Sequence, residues 1–188
     1  SILGRTGLDV TRLGFGCALW SPDRSDWTEG NAGHVWGVAL DAGINFFDTA
    51  SDYAYSEEWI GRSLNSRYGD FYLATKGGCN LDLPNDNSVR PHVWTRENLF
   101  RGIETSLCRL DRENVDILQL HNPTVEEVVQ GGLVEALNEI RAQGMVKWIG
   151  VSTTLPYLPI FLDSGAFDVM QIPYSALDRE HEDWIAKA

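Results

Sequence analysis

A chain of 188 residues, 43% of them hydrophobic and 22% charged, is long enough for one buried core and too apolar to be disordered. A formal net charge of −12, with no block of Lys or Arg, argues against nucleic acid and anionic membrane surfaces as partners. Three widely spaced cysteines without a Cys-x-x-Cys motif predict free thiols in a reduced, cytoplasmic protein. No apolar run approaches the ~18 residues that a membrane-spanning helix needs.

The predicted elements begin with a short β-hairpin over residues 2–10, and apolar strands then alternate with helices. The strands are predicted at residues 13–16, 44–48, 71–76, 115–121, 146–151 and 169–172. Helices are predicted at residues 34–42, 56–64, 155–162 and 180–188. Two more are indicated by their apolar faces, one capped by Thr95 with Leu99, Ile103, Leu107 and Leu110 on one face, and one marked by Leu133, Leu137 and Ile140 that stops at Gly144. Ser56 and Thr95 are typical N-cap residues, and Gly43 and Gly144 are typical helix stops.

Six strand–helix units in strict alternation predict an α/β protein with a parallel sheet and helices outside it. Two architectures compete, an open doubly wound sheet and a closed barrel. An open dinucleotide-binding sheet would carry Gly-x-Gly-x-x-Gly after its first strand, but residues 14–19 read Gly-Phe-Gly-Cys-Ala-Leu. We therefore predict a (β/α)8 TIM barrel with an N-terminal β-hairpin, as a single domain over residues 1–188 with only six of its units.

Polar side chains stand at the carboxyl ends of successive predicted strands. They are Asp48, Lys76, His121, Ser152 and Gln171. In a barrel these ends meet at one rim, which is where the active sites of this fold lie. Asp48 and Lys76 are expected to pair with each other, because a charged group at the end of an apolar strand is costly to bury alone.

Tyr53 follows Asp48 closely enough to lean over the same rim, and this set suits carbonyl reduction. A tyrosine is a weak acid, and a neighbouring Lys76 ammonium is expected to lower its pKa. Asp48 would hold that ammonium in place, and His121 would donate a hydrogen bond to the substrate oxygen. Each residue also has an ordinary structural explanation as a cap, ion pair or rim residue, and Tyr55 is an alternative to Tyr53.

Five segments of the chain resemble motifs of the aldo-keto reductase family, in the family's order. They are residues 3–16, 42–53, 73–76, 116–123 and 144–152. The resemblance implies that Tyr53 donates the proton and that His121 orients a small carbonyl or alcohol substrate. Asp48 and Lys76 would tune the tyrosine. The family's default cofactor is NADPH, with NADH as the alternative.

The same resemblance implies two sets of binding residues. Those beside the cofactor are Gly16, Cys17, Ala18, Asp48, Ser152, Thr153 and Gln171. Those beside the substrate are Trp20, Tyr53 and His121. Trp20 follows the first strand, where a substrate pocket and simple packing on the rim explain an aromatic residue equally well.

Three departures from the family pattern stand out. Thr153 replaces the usual Asn, which puts one carboxamide contact in doubt, and Ala54 replaces the Gly that usually follows the catalytic tyrosine. The chain shows six units where a complete barrel has eight over ~250 residues. The last two units of the family hold most of the pyrophosphate and ribose site, so we expect those contacts to lie outside this sequence.

Two other functions compete with a reductase. A non-catalytic relative could bind the cofactor and serve as a regulatory subunit, as channel-associated members of the family are thought to do. A metal enzyme is the other alternative, but the four histidines include no His-x-His pair, and His34, His92 and His181 fall in predicted helices or loops. We therefore expect no metal site.

Overall fold

The computed structural model describes residues 1–18, 28–83 and 91–188, and within them six strands form one parallel sheet in chain order. The strands are β1 (Phe15–Gly16), β2 (Phe46–Asp48), β3 (Tyr72–Gly77), β4 (Val115–His121), β5 (Val146–Ser152) and β6 (Val169–Gln171). The sheet is the curled, six-unit part of a (β/α)8 barrel, with β1 and β6 as its edges. The predicted fold class is confirmed.

Helices cover the outside of this sheet. Those in the described ranges are α1 (Glu29–Asp41), α2 (Ser56–Leu64), α3 (Arg96–Leu110), α4 (Val125–Gln130), α5 (Leu133–Ala142), α6 (Leu158–Ser164) and α7 (Glu182–Lys187). In the described part of the chain, no helix combines the length and the apolar character needed to cross a membrane.

The register of the sheet places the carboxyl ends of the strands at one rim. Gly16 pairs with Asp48 across β1 and β2. His121 pairs with Ser152 across β4 and β5, and Ser152 in turn pairs with Gln171 of β6. The residues predicted at one rim therefore lie side by side at the carboxyl ends of neighbouring strands.

Burial explains why the inner elements form where the apolar pattern predicts them. All residues of β4 except His121 are buried, as expected for a parallel strand covered on both faces. Helix α3 buries one face against the sheet, including Leu99, Ile103 and Leu110. Gly61 lets α2 approach α3 closely, since a Cβ atom there would lie 2.4 Å from the Arg109 carbonyl oxygen.

The largest differences from the prediction lie at element ends. The N-terminal hairpin consists of one antiparallel bridge between Ile2 and Asp9, and its turn is a 3₁₀ helix. Helix α1 begins five residues earlier than predicted because Thr28 caps it, accepting a hydrogen bond from the Asn31 N–H at 3.2 Å. Helix α4 was not predicted, although Thr124 and Glu127 form a capping box at its start.

All three cysteines are free, as the sequence predicts. Cys17 and Cys79 are buried and Cys108 is exposed.

Candidate active site

A buried ion pair connects β2 and β3 at the rim. Lys76 Nζ lies 2.6 Å from Asp48 Oδ2 and also donates a hydrogen bond to the Thr49 carbonyl oxygen at 2.9 Å. From β4, Gln119 Nε2 donates to Asp48 Oδ1 at 3.3 Å. Lys76 is only 2% exposed. The predicted pairing is confirmed, and we call Asp48, Lys76 and Gln119 the strand cluster.

Tyr53 covers the strand cluster. Its ring centroid lies 4.9 Å from Lys76 Nζ. Burial raises the pKa of the Tyr53 phenol well above its usual value, and the carboxylates of Asp48 and Asp52 raise it further. The net shift of the Tyr53 pKa is therefore upward, opposite to the lowering expected from Lys76, because burial and two carboxylates dominate.

A second polar group, which we call the histidine cluster, lies beside Tyr53. His121 packs edge-on against the Tyr53 ring, with centroids 5.9 Å apart. Asp52 Oδ2 lies 3.3 Å from His121 Nδ1 and 3.5 Å from His92 Nε2. Burial by itself raises the pKa of the Asp52 carboxyl, but polar contacts and charge from the two imidazoles outweigh it and hold that pKa well below its usual range.

Sequence reasoning missed three members of these clusters. Gln119 carries a signal, because it lies two residues before His121 in an apolar strand and so points to the same side. Asp52 is one of several acidic residues near the motif tyrosine and has no distinguishing spacing. His92 belongs to a long loop, and the bridge between Cys79 and His92 ties it to the end of β3.

The segment that carries Tyr53 is anchored from behind by Glu57. This buried carboxylate accepts hydrogen bonds from Thr75 Oγ1 at 2.7 Å and from Arg109 Nη1 at 3.3 Å. Burial raises the pKa of Glu57, and its hydrogen-bond donors and the Arg109 charge oppose that rise. Arg109 also donates to the Ser51 carbonyl oxygen at 3.2 Å. The loop after β2 is thus tied both to β3 and to α3.

Ala54, which stands where the family pattern usually has glycine, has a left-handed backbone. Its φ of +47° lies in the left-handed region, which residues other than glycine adopt at a cost. The backbone after Tyr53 thus takes the conformation for which glycine is the usual residue.

The three predicted cofactor residues after β1 differ in accessibility. Gly16 and Ala18 are exposed. Cys17 is fully buried, and its N–H donates to the Asp48 carbonyl oxygen at 2.8 Å. Burial raises the pKa of the Cys17 thiol, so the side chain stays protonated and packs in the core.

The predicted cofactor residues of β5 and β6 lie side by side. Ser152 Oγ donates to Asn122 Oδ1 at 3.0 Å. Thr153 is buried, and its N–H donates to the Gln171 carbonyl oxygen at 2.9 Å. Gln171 lines a cavity of about 480 Å³ together with Gly16 and Asp48. The remaining predicted substrate residue, Trp20, lies outside the described residues.

Comparison with known proteins identifies the family. The sequence model of the Aldo/keto reductase family matches residues 12–187. The chain belongs to the aldo/keto reductase family. The assignment made from five short motifs is therefore confirmed, although those motifs cover only part of the matched region.

Individual aldo/keto reductase relatives are moderately similar. The uncharacterized oxidoreductase YqkF of Bacillus subtilis is 27% identical over 97% of this chain and 58% of its own length. A probable voltage-gated potassium channel subunit beta of Oryza sativa is 34% identical over 80% of this chain and 45% of its own length. The chain spans about half the length of these curated relatives.

Among solved structures, the holo form of the aldo-keto reductase AKR11C1 from Bacillus halodurans is similar throughout this chain. The two superpose with a TM-score of 0.87 and 28% sequence identity, over 100% of this chain and 61% of that protein. The six units thus correspond to about three fifths of that relative.

Proposed function

We propose that the protein is an NAD(P)H-dependent oxidoreductase that reversibly reduces aldehydes or ketones to alcohols, with Tyr53 as the proton donor. The observation that carries this proposal is the strand cluster beneath the tyrosine, where Lys76 Nζ lies 4.9 Å from the ring centroid. Membership of the family and the holo form of the Bacillus halodurans relative support a nicotinamide cofactor.

Reduction of a carbonyl needs a hydride at carbon and a proton at oxygen, and a bound reduced nicotinamide supplies the hydride. Its raised pKa keeps Tyr53 protonated near neutral pH but also makes the phenol a weak acid, so donation depends on stabilising the phenolate as it forms. Negative charge grows on the phenol oxygen as the proton leaves, and the Lys76 ammonium stabilises it. Asp48 holds that ammonium at 2.6 Å, so the charge is positioned before the reaction begins.

His121 orients the substrate in this proposal. Its ring packs edge-on to Tyr53 at 5.9 Å between centroids, so a carbonyl oxygen that reaches the tyrosine also reaches the imidazole. Asp52 faces His121 Nδ1 at 3.3 Å, which makes Nε2 the nitrogen that meets the substrate. The Tyr53 hydroxyl and His121 Nε2 then both donate to the carbonyl oxygen, and these hydrogen bonds strengthen as that oxygen gains negative charge.

The residues present fit a nicotinamide carboxamide, which needs both donors and acceptors. Ser152 and Gln171 offer a hydroxyl and an amide at paired positions of β5 and β6. Exposed Gly16 and Ala18 would lie against the cofactor, while Thr153 would support it from beneath through its hydrogen bond to Gln171. We propose NADPH as the cofactor, with NADH as the alternative.

The test measures NADPH oxidation by the full-length protein as a loss of absorbance, with a panel of aldehydes and ketones as substrates. Tyr53→Phe should lower turnover by about 10²–10⁴-fold, the usual contribution of a positioned proton donor, and leave cofactor affinity nearly unchanged. Tyr55→Phe is the matched control, since Tyr55 is exposed and stacks on Trp59 with ring centroids 6.0 Å apart. Full activity of Tyr53→Phe would remove Tyr53 from the mechanism.

A cofactor-binding regulatory subunit is the second candidate function. The observation that favours it is the 34% identity to a protein named as a probable potassium channel subunit beta. Tight NADPH binding without turnover of any carbonyl would support this function. Turnover that is lost in Tyr53→Phe would exclude a purely non-catalytic role.

A further inference from the structure

Three side chains from separate segments bring their ligand atoms together in the histidine cluster. Asp52 follows β2, His92 precedes α3, and His121 ends β4. One nitrogen of each imidazole and one carboxylate oxygen lie within 4.8 Å of one another. All three side chains are mostly buried, with 16%, 22% and 15% of their surfaces exposed. The cluster is therefore held by the fold rather than by flexible surface chains.

Hydrogen bonding leaves this cluster incompletely satisfied. Asp52 Oδ1 is buried and has no hydrogen-bond partner among the residues that the structure describes, and His92 Nε2 lies 3.5 Å from Asp52 Oδ2, which is longer than a good hydrogen bond. A buried polar atom without a partner costs about 1–3 kcal/mol. Both atoms are therefore available to a further ligand.

The spacing matches that of metal ligands. Zn²⁺ with ligands at 2.0–2.2 Å in a tetrahedron separates neighbouring ligand atoms by about 3.3–3.5 Å. The carboxylate oxygen of Asp52 lies 3.3 Å from His121 Nδ1 and 3.5 Å from His92 Nε2. Two imidazoles and one carboxylate form a donor set suited to a borderline cation such as Zn²⁺, and they leave one coordination position for water.

We propose that Asp52, His92 and His121 bind a divalent transition metal ion, for which Zn²⁺ is the natural probe. The carboxylate supplies charge compensation, and the two imidazoles supply the nitrogen ligands. The site extends the proposed function without depending on it, because binding requires neither cofactor nor turnover. The proposal differs from the expectation of no metal site, which rested on spacing along the chain and on the predicted helix or loop positions of His34, His92 and His181.

The experiment is a titration of chelator-treated, full-length protein with ZnCl₂, measured by calorimetry without cofactor. Binding of one ion per chain at the histidine cluster is expected. Asp52→Asn and His92→Gln should each weaken binding by about 100-fold or more, since loss of a mere outer-shell partner already costs 10–100-fold. Co²⁺ offers a second readout, because its visible absorption in the protein should disappear in both variants.

Two control variants separate this site from other zinc-binding groups. His34→Gln removes an exposed histidine of α1, and Glu180→Gln disrupts the alternative group of Asp178, Glu180 and His181. Both controls should bind Zn²⁺ like the parent protein. Unchanged affinity in either Asp52→Asn or His92→Gln would overturn the proposal, as would loss of binding in Glu180→Gln alone.

Thermal unfolding in chelator shows whether each variant is folded. Because Asp52→Asn conserves the shape of the side chain, it still tests the proposal if His92→Gln fails to fold.

Discussion

The strand cluster and the histidine cluster adjoin the same tyrosine but are built differently. In the strand cluster, Lys76 and Asp48 meet at 2.6 Å and Gln119 donates to the same carboxylate. In the histidine cluster, the carboxylate of Asp52 stays 3.3–3.5 Å from its partners. Among the described residues, each cluster has a buried oxygen without a hydrogen-bond partner, Gln119 Oε1 in the strand cluster and Asp52 Oδ1 in the histidine cluster, so the difference lies in the length of the charged contacts.

The difference follows from the segments that carry each cluster. Neighbouring parallel strands fix both the spacing and the direction of the side chains that point from them. Loops place a side chain only as firmly as their own packing allows. A tight ion pair suits a group that must keep one geometry, whereas a group with longer contacts suits an exchangeable ligand.

Lys76→Met should produce the largest loss of stability and tests how strongly the strand cluster depends on its ion pair. Removing one partner of a buried ion pair leaves Asp48 uncompensated and costs about 3–5 kcal/mol in the free energy of unfolding. Urea unfolding measures this loss. The double variant Asp48→Asn with Lys76→Met should recover much of it, because neither charge is then buried alone.

Asp52→Asn is the matching change in the histidine cluster and should cost about 1–3 kcal/mol in the free energy of unfolding, since the two imidazoles lose their carboxylate partner but, unlike Asp48 in Lys76→Met, can become neutral. Equal losses for Lys76→Met and Asp52→Asn would break the comparison between the two clusters.

Gly78→Ala should have an intermediate effect that is confined to the histidine cluster. Gly78 has a φ of +117°, and a Cβ atom there would lie 2.3 Å from the Trp94 ring. Trp94 packs against His92, with ring centroids 5.2 Å apart, so its displacement would carry His92 away from Asp52. We expect a loss of about 1–3 kcal/mol from overpacking, together with weaker Zn²⁺ binding.

The control for Gly78→Ala is Gly102→Ala in α3, where an added Cβ meets no atom within 4 Å. This variant should gain up to about 1 kcal/mol from helix propensity and leave Zn²⁺ binding unchanged. If Gly78→Ala bound Zn²⁺ like the parent protein, Trp94 would not position His92.

Ala54→Gly should have the smallest effect, at the connection between the two clusters. The left-handed conformation costs alanine about 1–2 kcal/mol, and the greater freedom of glycine in the unfolded state offsets about 0.4–1 kcal/mol of the gain. The net stabilisation is therefore expected to be about 1 kcal/mol, measured by urea unfolding. A destabilised Ala54→Gly variant would contradict the positive φ.

The strand cluster could be predicted because its members occupy the ends of apolar strands. Strand β4 has the bounds that the sequence predicts, and α3 begins directly after its predicted cap Thr95, since each combines a clear apolar pattern with a clear start. The start of α1 was missed because Gly30 and Gly33 weaken its helical pattern.

The histidine cluster could not be predicted because it depends on the path of a loop. Periodicity and spacing describe regular elements, and neither one says where residue 92 lies in space. The direction of the Tyr53 pKa was also missed, because burial depends on tertiary packing and outweighs the charge of one neighbour.

Loops on a barrel are often regarded as modules that can be exchanged between relatives without touching the scaffold. The contact of Arg109 with both Glu57 and Ser51 limits that freedom here. A loop transplanted after β2 would lack its support unless the recipient carried a matching arginine on α3. The loop after β2 and the last turn of α3, which ends at Leu110, would therefore have to be transferred together.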